Sequence, residues 1–244
     1  MSIKVAVVGA TGRMGKLALD LVDAAQDLTL HAALDSKSDL SLVLGADVVF
    51  DVTLPEVSPK VVEFAVANGL KVVVGTSGWS AAKLALVEKQ LSTAPAGAAV
   101  IIIPNFSIGS MLATKFAAEA AKFYDSMEIV EAHHAGKIDS PSGTAVRTAE
   151  LMAAARADKT QPLIPGVGQE ARGQVVAGVP IHSIRLAGVS AKQDVLFGGD
   201  NEVLSLHHEV TSTRAYIAGI LLCLRHAVSA EGLLVGLQSV VEAK

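Results

Sequence analysis

The chain gathers its titratable groups in one short stretch, "EAHHAGKIDSPSGTA", Glu131 to Ala145. His133 and His134 close a strand-like run, so their side chains point to opposite faces, one towards a cleft and the other supporting it. Lys137 follows in the same loop. Pro141 is compatible with the first turn of a helix whose N-terminal N–H groups include those of Gly143 and Thr144. Such a helix start attracts anions, and a glycine in it lets a carboxylate come close. Lysine adds a point charge, and histidine gives or takes a proton near neutral pH.

Each group taken singly has an ordinary use. Paired histidines can sit on a surface, a loop lysine can be solvated, and Ser140 or Ser142 can simply cap a helix. A metal site is disfavoured, because His-His-x-x-Lys lacks a third ligand at a recognised spacing. Ser142 is a poor nucleophile candidate, because no nucleophile-elbow context surrounds it. The cluster gains meaning from a second motif elsewhere in the chain.

Gly9, Gly12 and Gly15 form G-x-x-G-x-x-G between a strand and a helix. The first glycine permits a sharp turn, the second lets a phosphate approach the main chain, and the third permits close helix–strand packing. The helix start presents unpaired N–H groups to a pyrophosphate. Asp35 falls at the end of the second strand, about 20 residues on, where a carboxylate can hold ribose hydroxyls. That combination favours dinucleotide binding over a plain tight turn. Asp35 repels a 2′-phosphate and favours NAD, while Lys37 and Arg13 could accept one, which leaves NADH and NADPH both open. Two further loops, "GTSGW" (Gly75 to Trp79) and "IPNF" (Ile103 to Phe106), follow strands, where open α/β sheets bind ligands or merely turn.

The elements that position these groups read as follows. "IKVAVVGA", "LTLHAALD", "ADVVFDVT", "LKVVVGTS" and "AAVIIIPN" are strand-like, with helical spacing in "GRMGKLALDLVDAA", "SPKVVEFAVANG" and "SAAKLALVEKQLST". Continuous apolar strands separated by helices predict an α/β fold with a doubly wound, Rossmann-like parallel sheet. After Phe106 the texture changes. A long helix over about 107–123, a strand "MEIVEAH" and a helix over about 142–156 predict a second, smaller α+β domain with a mixed sheet. Residues 157–180, rich in Pro and Gly, read as loop. "IHSIRLAG", "DVLFGG" and "EVLSLHHE" read as strands in hairpin-like succession, and the apolar helix that follows would close their sheet.

Bulk properties exclude several classes. The 244 residues carry a net charge of -4, with 51% hydrophobic and 4% aromatic residues. Scattered basic residues and few aromatics argue against nucleic acid as a partner. Mean hydropathy is +0.47, yet the longest apolar run, Ala215 to Leu224, is far short of the about 20 residues that span a bilayer. The N-terminus lacks a signal-peptide pattern, and the single Cys223 cannot form an internal disulfide. A cytoplasmic protein with no membrane partner is the economical expectation.

The segments "VAVVGATGRMGK", "VVVGTSGW", "IIIPNFSIG" and "EAHHAGKIDSPSGTA" resemble, in order and spacing along nearly the whole chain, the motif series of the 4-hydroxy-tetrahydrodipicolinate (dihydrodipicolinate) reductase family. The resemblance implies reduction of a small cyclic dicarboxylate by NADH or NADPH in lysine and diaminopimelate biosynthesis. It implies His133 as proton donor or acceptor and Lys137 as a second proton donor. His134 and the backbone of Gly143 and Thr144 match carboxylate-binding positions. Gly9, Ala10, Thr11, Gly12, Arg13, Met14, Asp35, Gly75, Thr76, Ser77, Ile103, Pro104, Asn105 and Phe106 match cofactor contacts. It also implies a dinucleotide-binding domain over 1–106 to which 214–244 return, a substrate and oligomerisation domain over 107–213, and a homotetramer. Domain closure would complete the site. Beside a cation, His133 should hold its proton less tightly until a bound dianion restores it.

The chain departs from the family pattern at Gly136, where a histidine is common, at Lys192, where a histidine is frequent, and at Thr213, with Arg214 displaced by one. Two rivals remain at this level. A semialdehyde-type dehydrogenase needs a nucleophilic cysteine, and Cys223 sits in an apolar helix. A nucleotide-sensing binding protein would bind the cofactor without turnover.

Overall fold

The computed structural model describes residues 2–156 and 168–243, so part of the loop expected over 157–180 lies outside the described residues. In chain order come β1 (Ile3–Val8), α1 (Arg13–Ala24), β2 (Leu28–Leu34), β3 (Val48–Asp51), α2 (Ser58–Ala67), β4 (Lys71–Val74), α3 (Ala81–Leu91) and β5 (Ala99–Ile102). Then follow α4 (Ile108–Ala120), β6 (Ser126–His133), α5 (Gly143–Ala155), β7 (Gln174–Val176), β8 (Val179–Arg185), β9 (Ala191–Gly199) and β10 (Glu202–Val210). The chain ends with α6 (Ile217–Ala227), β11 (Gly232–Val235) and α7 (Leu237–Glu242). It divides into two compact units, Met1–Ile108 with Tyr216–Lys244, and Gly109–Ala215.

The first unit is built on a six-stranded sheet ordered β11-β5-β4-β3-β1-β2, parallel throughout. Val48, Val49 and Phe50 of β3, Val72, Val73 and Val74 of β4 and Val100 of β5 have no exposed surface. Only strands covered on both faces can be apolar at every position. Val61, Val62 and Ala65 of α2 and Val87 of α3 pack on one face. The chain moves outward from β1 to β2 and then returns to place β3 on the other side of β1. That reversal is the switch point at which sheets of this kind bind ligands beyond their carboxyl ends.

Two sequence expectations fail around this sheet. The apolar C-terminal helix does not close the second sheet; α6 packs on β3, β4 and β5 of the first. Its Ile220, Cys223, Leu224 and Ala227, spaced on one helical face, are fully buried. Strand β11 was not anticipated at all. It is short, begins with a glycine and borrows its strand character from pairing with β5.

The second unit carries a five-stranded mixed sheet ordered β10-β9-β6-β8-β7. Strands β9 and β10 form a hairpin. The expected hairpin succession breaks between β8 and β9, because β6 lies between them, parallel to β8 and antiparallel to β9. Part of the expected loop is strand instead: β7 pairs with β8. Small residues on the helices, Ala117 on α4 and Ala145 and Ala149 on α5, let them lie close to Met127, Ile129, Ile181, Val195 and Phe197 of the sheet. Arg156, just past α5, donates to the carbonyls of Ala121 and Tyr124 after α4 and ties the two helices together. Among the described residues no helix is long and apolar enough to cross a membrane.

Candidate functional site

Strand β6 alternates its side chains, so Glu131 and His133 share a face. Glu131 is fully buried, and its Oε2 lies 2.6 Å from His133 Nδ1. The parallel register of β6 with β8 sets Arg185 beside His133. From there the guanidinium reaches Glu131 with both prongs, Nη1 to Oε2 at 3.0 Å and Nη2 to Oε1 at 2.9 Å. A buried carboxylate stripped of such a partner costs about 3–5 kcal/mol. Arg185 also donates to the carbonyls of Asp139 (2.6 Å) and Lys137 (3.3 Å), which fastens the loop after β6 to the sheet.

Lys137 turns back in that loop, its N–H on the His134 carbonyl at 3.0 Å and its Nζ 2.7 Å from Asp139 Oδ1. His134 lies beyond the strand end and is exposed. Burial pushes the His133 imidazole below its ordinary pKa; Glu131 resists that change, while Lys137 and Arg185 reinforce it. The direction expected from a neighbouring cation is therefore right, but the larger cause is burial. Burial alone would raise the Glu131 carboxyl, but the contacts with Arg185, Ser183 and His133 together outweigh it, so Glu131 lies below the usual carboxylate range. The Lys137 bond holds Asp139 low as well.

Helix α5 begins where the sequence placed it, with one correction. Ser142 is the cap, its Oγ accepting the Ala145 N–H at 3.3 Å, so Pro141 precedes the helix rather than entering its first turn. The Ser142 N–H donates to Glu131 Oε1 at 3.2 Å. A Cβ added at Gly143 would meet nothing within 4 Å. Neither packing nor backbone conformation inside this unit demands a glycine there. Thr144 follows in the first turn, its carbonyl accepting the Thr148 hydroxyl at 2.8 Å.

In the first unit the candidate cofactor residues lie at the carboxyl ends of β1, β2, β4 and β5. Gly9 has φ +90°, and a Cβ there would fall 2.8 Å from the Val52 carbonyl oxygen. A Cβ on Gly15 would lie 2.1 Å from the Gly9 oxygen, closer than any side chain allows. Gly12 caps α1 without a side-chain bond, and Thr11, Gly12 and Arg13 are exposed, Met14 half-buried and Ala10 buried. Asp35 Oδ1 accepts the Lys37 N–H at 2.9 Å and the Ser38 hydroxyl at 2.8 Å, bonds that lower its pKa. Gly75 donates to the Asp51 carbonyl at 2.8 Å, the buried Thr76 hydroxyl to the Thr53 carbonyl at 3.1 Å, and Ser77 is exposed. Ile103 and Phe106 turn their side chains into the core, so this loop offers its main chain, Pro104 and Asn105 outward. A helix start without a side-chain cap, glycines that close the turn tightly and a carboxylate after β2 fit a dinucleotide.

Sequence reasoning missed Glu131, Arg185 and Asp139. The two-residue spacing of Glu131 and His133 on a strand is a signal that could have found the first. Arg185 carries no local signal, because only the β6–β8 register brings it there. Among the described residues no group of three or more His, Cys, Asp or Glu side chains is placed to hold a metal ion.

Comparison with known proteins identifies the family. The family described as "Dihydrodipicolinate reductase, N-terminus" matches residues 3–106, and "Dihydrodipicolinate reductase, C-terminus" matches residues 109–241. The chain belongs to the dihydrodipicolinate reductase family. The 4-hydroxy-tetrahydrodipicolinate reductase of Clavibacter sepedonicus is 56% identical over 242 residues, covering 99% of this chain and 87% of that one. The protein of that name from Mycolicibacterium smegmatis is 41% identical over 248 residues, covering 98% and 99%. A solved dipicolinate-bound dihydrodipicolinate reductase from Paenisporosarcina sp. TG-14 superposes with a TM-score of 0.80 at 30% identity, covering 98% and 99%. As a dihydrodipicolinate reductase family member the chain is an NAD(P)H-dependent oxidoreductase with a nucleotide-binding N-terminal part.

Proposed function

We propose that the chain reduces 4-hydroxy-tetrahydrodipicolinate to tetrahydrodipicolinate with NADH or NADPH, in lysine and diaminopimelate biosynthesis, and that the residues above divide the work as follows. The residues Gly9 to Met14, Asp35, Gly75 to Ser77 and Ile103 to Phe106 hold the dinucleotide. The nicotinamide, when bound, supplies a hydride. His134 and the main chain of Gly143 and Thr144 bind the substrate's carboxylates. Loss of the 4-hydroxyl group as water leaves a conjugated C=C–C=N system; hydride addition to it gives a carbanion-like carbon, and His133 and Lys137 are the groups that supply its proton. The first unit serves as the dinucleotide domain, and the second as the substrate and oligomerisation domain of a cytoplasmic homotetramer.

The observation that carries this reading is the start of α5. Gly143 leaves open a space that the fold does not need, at a helix end suited to a carboxylate and in the same unit as His133 and Lys137. The thiol rival loses ground here, because burial pushes the Cys223 pKa up to about 12 and leaves it a poor nucleophile. The test is a coupled assay with freshly generated hydroxy-tetrahydrodipicolinate, following oxidation of NADH and NADPH. Absorbance loss with either nucleotide is expected. A folded sample that binds nucleotide yet oxidises neither would be the sensing protein instead.

A further inference from the structure

We infer that Glu131, clamped by Arg185, is the positioning residue that decides which ring nitrogen of His133 exchanges a proton with substrate. It takes the Nδ1 hydrogen and leaves Nε2 as the working atom. This rests on the proposed reduction, in which His133 is a proton donor.

The argument is one of hydrogen count. Glu131 meets a guanidinium on both oxygens, at 3.0 and 2.9 Å, so it is a carboxylate with only lone pairs to offer. The hydrogen in the 2.6 Å contact between Oε2 and Nδ1 therefore belongs to the ring. In a neutral imidazole with Nδ1–H, Nε2 carries the lone pair, and it is the atom that gains and releases the catalytic proton. The other oxygen, Oε1, accepts the Ser142 N–H at the cap of α5. One buried carboxylate thus sets both the tautomer of the proton donor and the place where the anion-binding helix begins.

Among the described residues the charged groups around His133 are few. Glu131 comes from its own strand, Arg185 from β8, and Lys137 with its partner Asp139 from the following loop. Strand β9 sets only the neutral Ala191 and Gln193 opposite His133 and Glu131. Among the described residues Glu131 is the one anion bonded to the ring, so it supports the imidazolium against burial and two cations.

The substitution Glu131→Gln separates positioning from mere structure. An amide keeps the shape but has one oxygen. With that oxygen on Ser142 and one Arg185 prong, the NH2 group faces Nδ1 as a donor and drives the ring hydrogen to Nε2. Nitrogen-15 NMR of the His133 ring should show Nδ1–H in the native protein and Nε2–H in the variant. In the assay, kcat should fall about tenfold or more while KM for the dicarboxylate stays within about threefold. The pH at which kcat/KM declines should move to lower values, because the protonated ring has lost its anion. If Glu131 only holds the fold, tautomer and pH midpoint stay put and kcat falls only with the folded fraction, which overturns the inference. Should the single variant not fold, Glu131→Gln/Arg185→Gln removes both charges together, and an unchanged Nδ1–H preference there overturns it equally. An Nε2–H signal in the native protein does so without any variant. Absent turnover in the native enzyme defeats the reduction reading instead, and the NMR still decides what Glu131 does to the ring.

Discussion

The two motif regions of this molecule are built from different materials. Around Gly9, Gly12 and Gly15 the structure is main chain: a glycine at φ +90°, a helix start with no side-chain cap, and peptide groups within van der Waals reach of each other. Between Glu131 and Gly143 it is side-chain charge. Glu131 is bonded to both His133 and Arg185, Lys137 pairs with Asp139, and Arg185 holds the main chain of both loop residues. In the proposed reading the first region recognises by leaving room, and the second recognises and reacts by placing protons and charges. They should therefore fail in different ways, the one by intrusion of an atom and the other by loss of a charge.

The sharpest contrast comes from Lys137→Ala. Loss of a positioned proton donor should lower kcat by about a hundredfold or more, while NADH affinity measured by calorimetry stays unchanged. Near-native turnover would make this lysine a bystander held by Asp139. A smaller effect of the opposite kind is expected from Gly15→Ala. Its Cβ would fall 2.1 Å from the Gly9 oxygen, so α1 must move away from the turn. Denaturant unfolding should show a loss of about 1–3 kcal/mol, with weaker NADH binding and an unaltered pH profile. Stability and affinity equal to the native values would show that the turn has room to give. The mildest case is Gly143→Ala, where the new methyl meets no protein atom. Stability should hold or rise by up to about 1 kcal/mol, as for alanine over glycine in a helix, while KM for the dicarboxylate rises severalfold. An unchanged KM would remove the carboxylate from that helix start.

Legibility from sequence followed the same division. The glycine turn, the strands β1 to β5 and a serine cap at the start of α5 depend on neighbours along the chain, and each was readable from local residue types. So was the cluster of His133, His134 and Lys137, because its members lie within one strand end and loop. Hidden from residue types alone were β11, whose few residues become a strand only beside β5, and the packing of α6 on the first sheet, which only the family resemblance implied. Placing β8 and β9 on either side of β6 was equally hidden. Ile103 and Phe106 show a milder gap: their loop was readable, but not that its apolar side chains point into the core.

By itself, then, the sequence determined what is periodic or local: an α/β chain, a glycine turn, a helix start that carries a glycine, and the residue types proposed for an acid–base site. Only tertiary structure decided that His133 would sit on a buried carboxylate, and that Arg185, from a strand far along the chain, would hold that carboxylate ionised. The reason is physical. Periodicity and capping are written in the spacing of neighbouring residues, whereas burial and ion pairing depend on strand order and register, which no short stretch of sequence encodes.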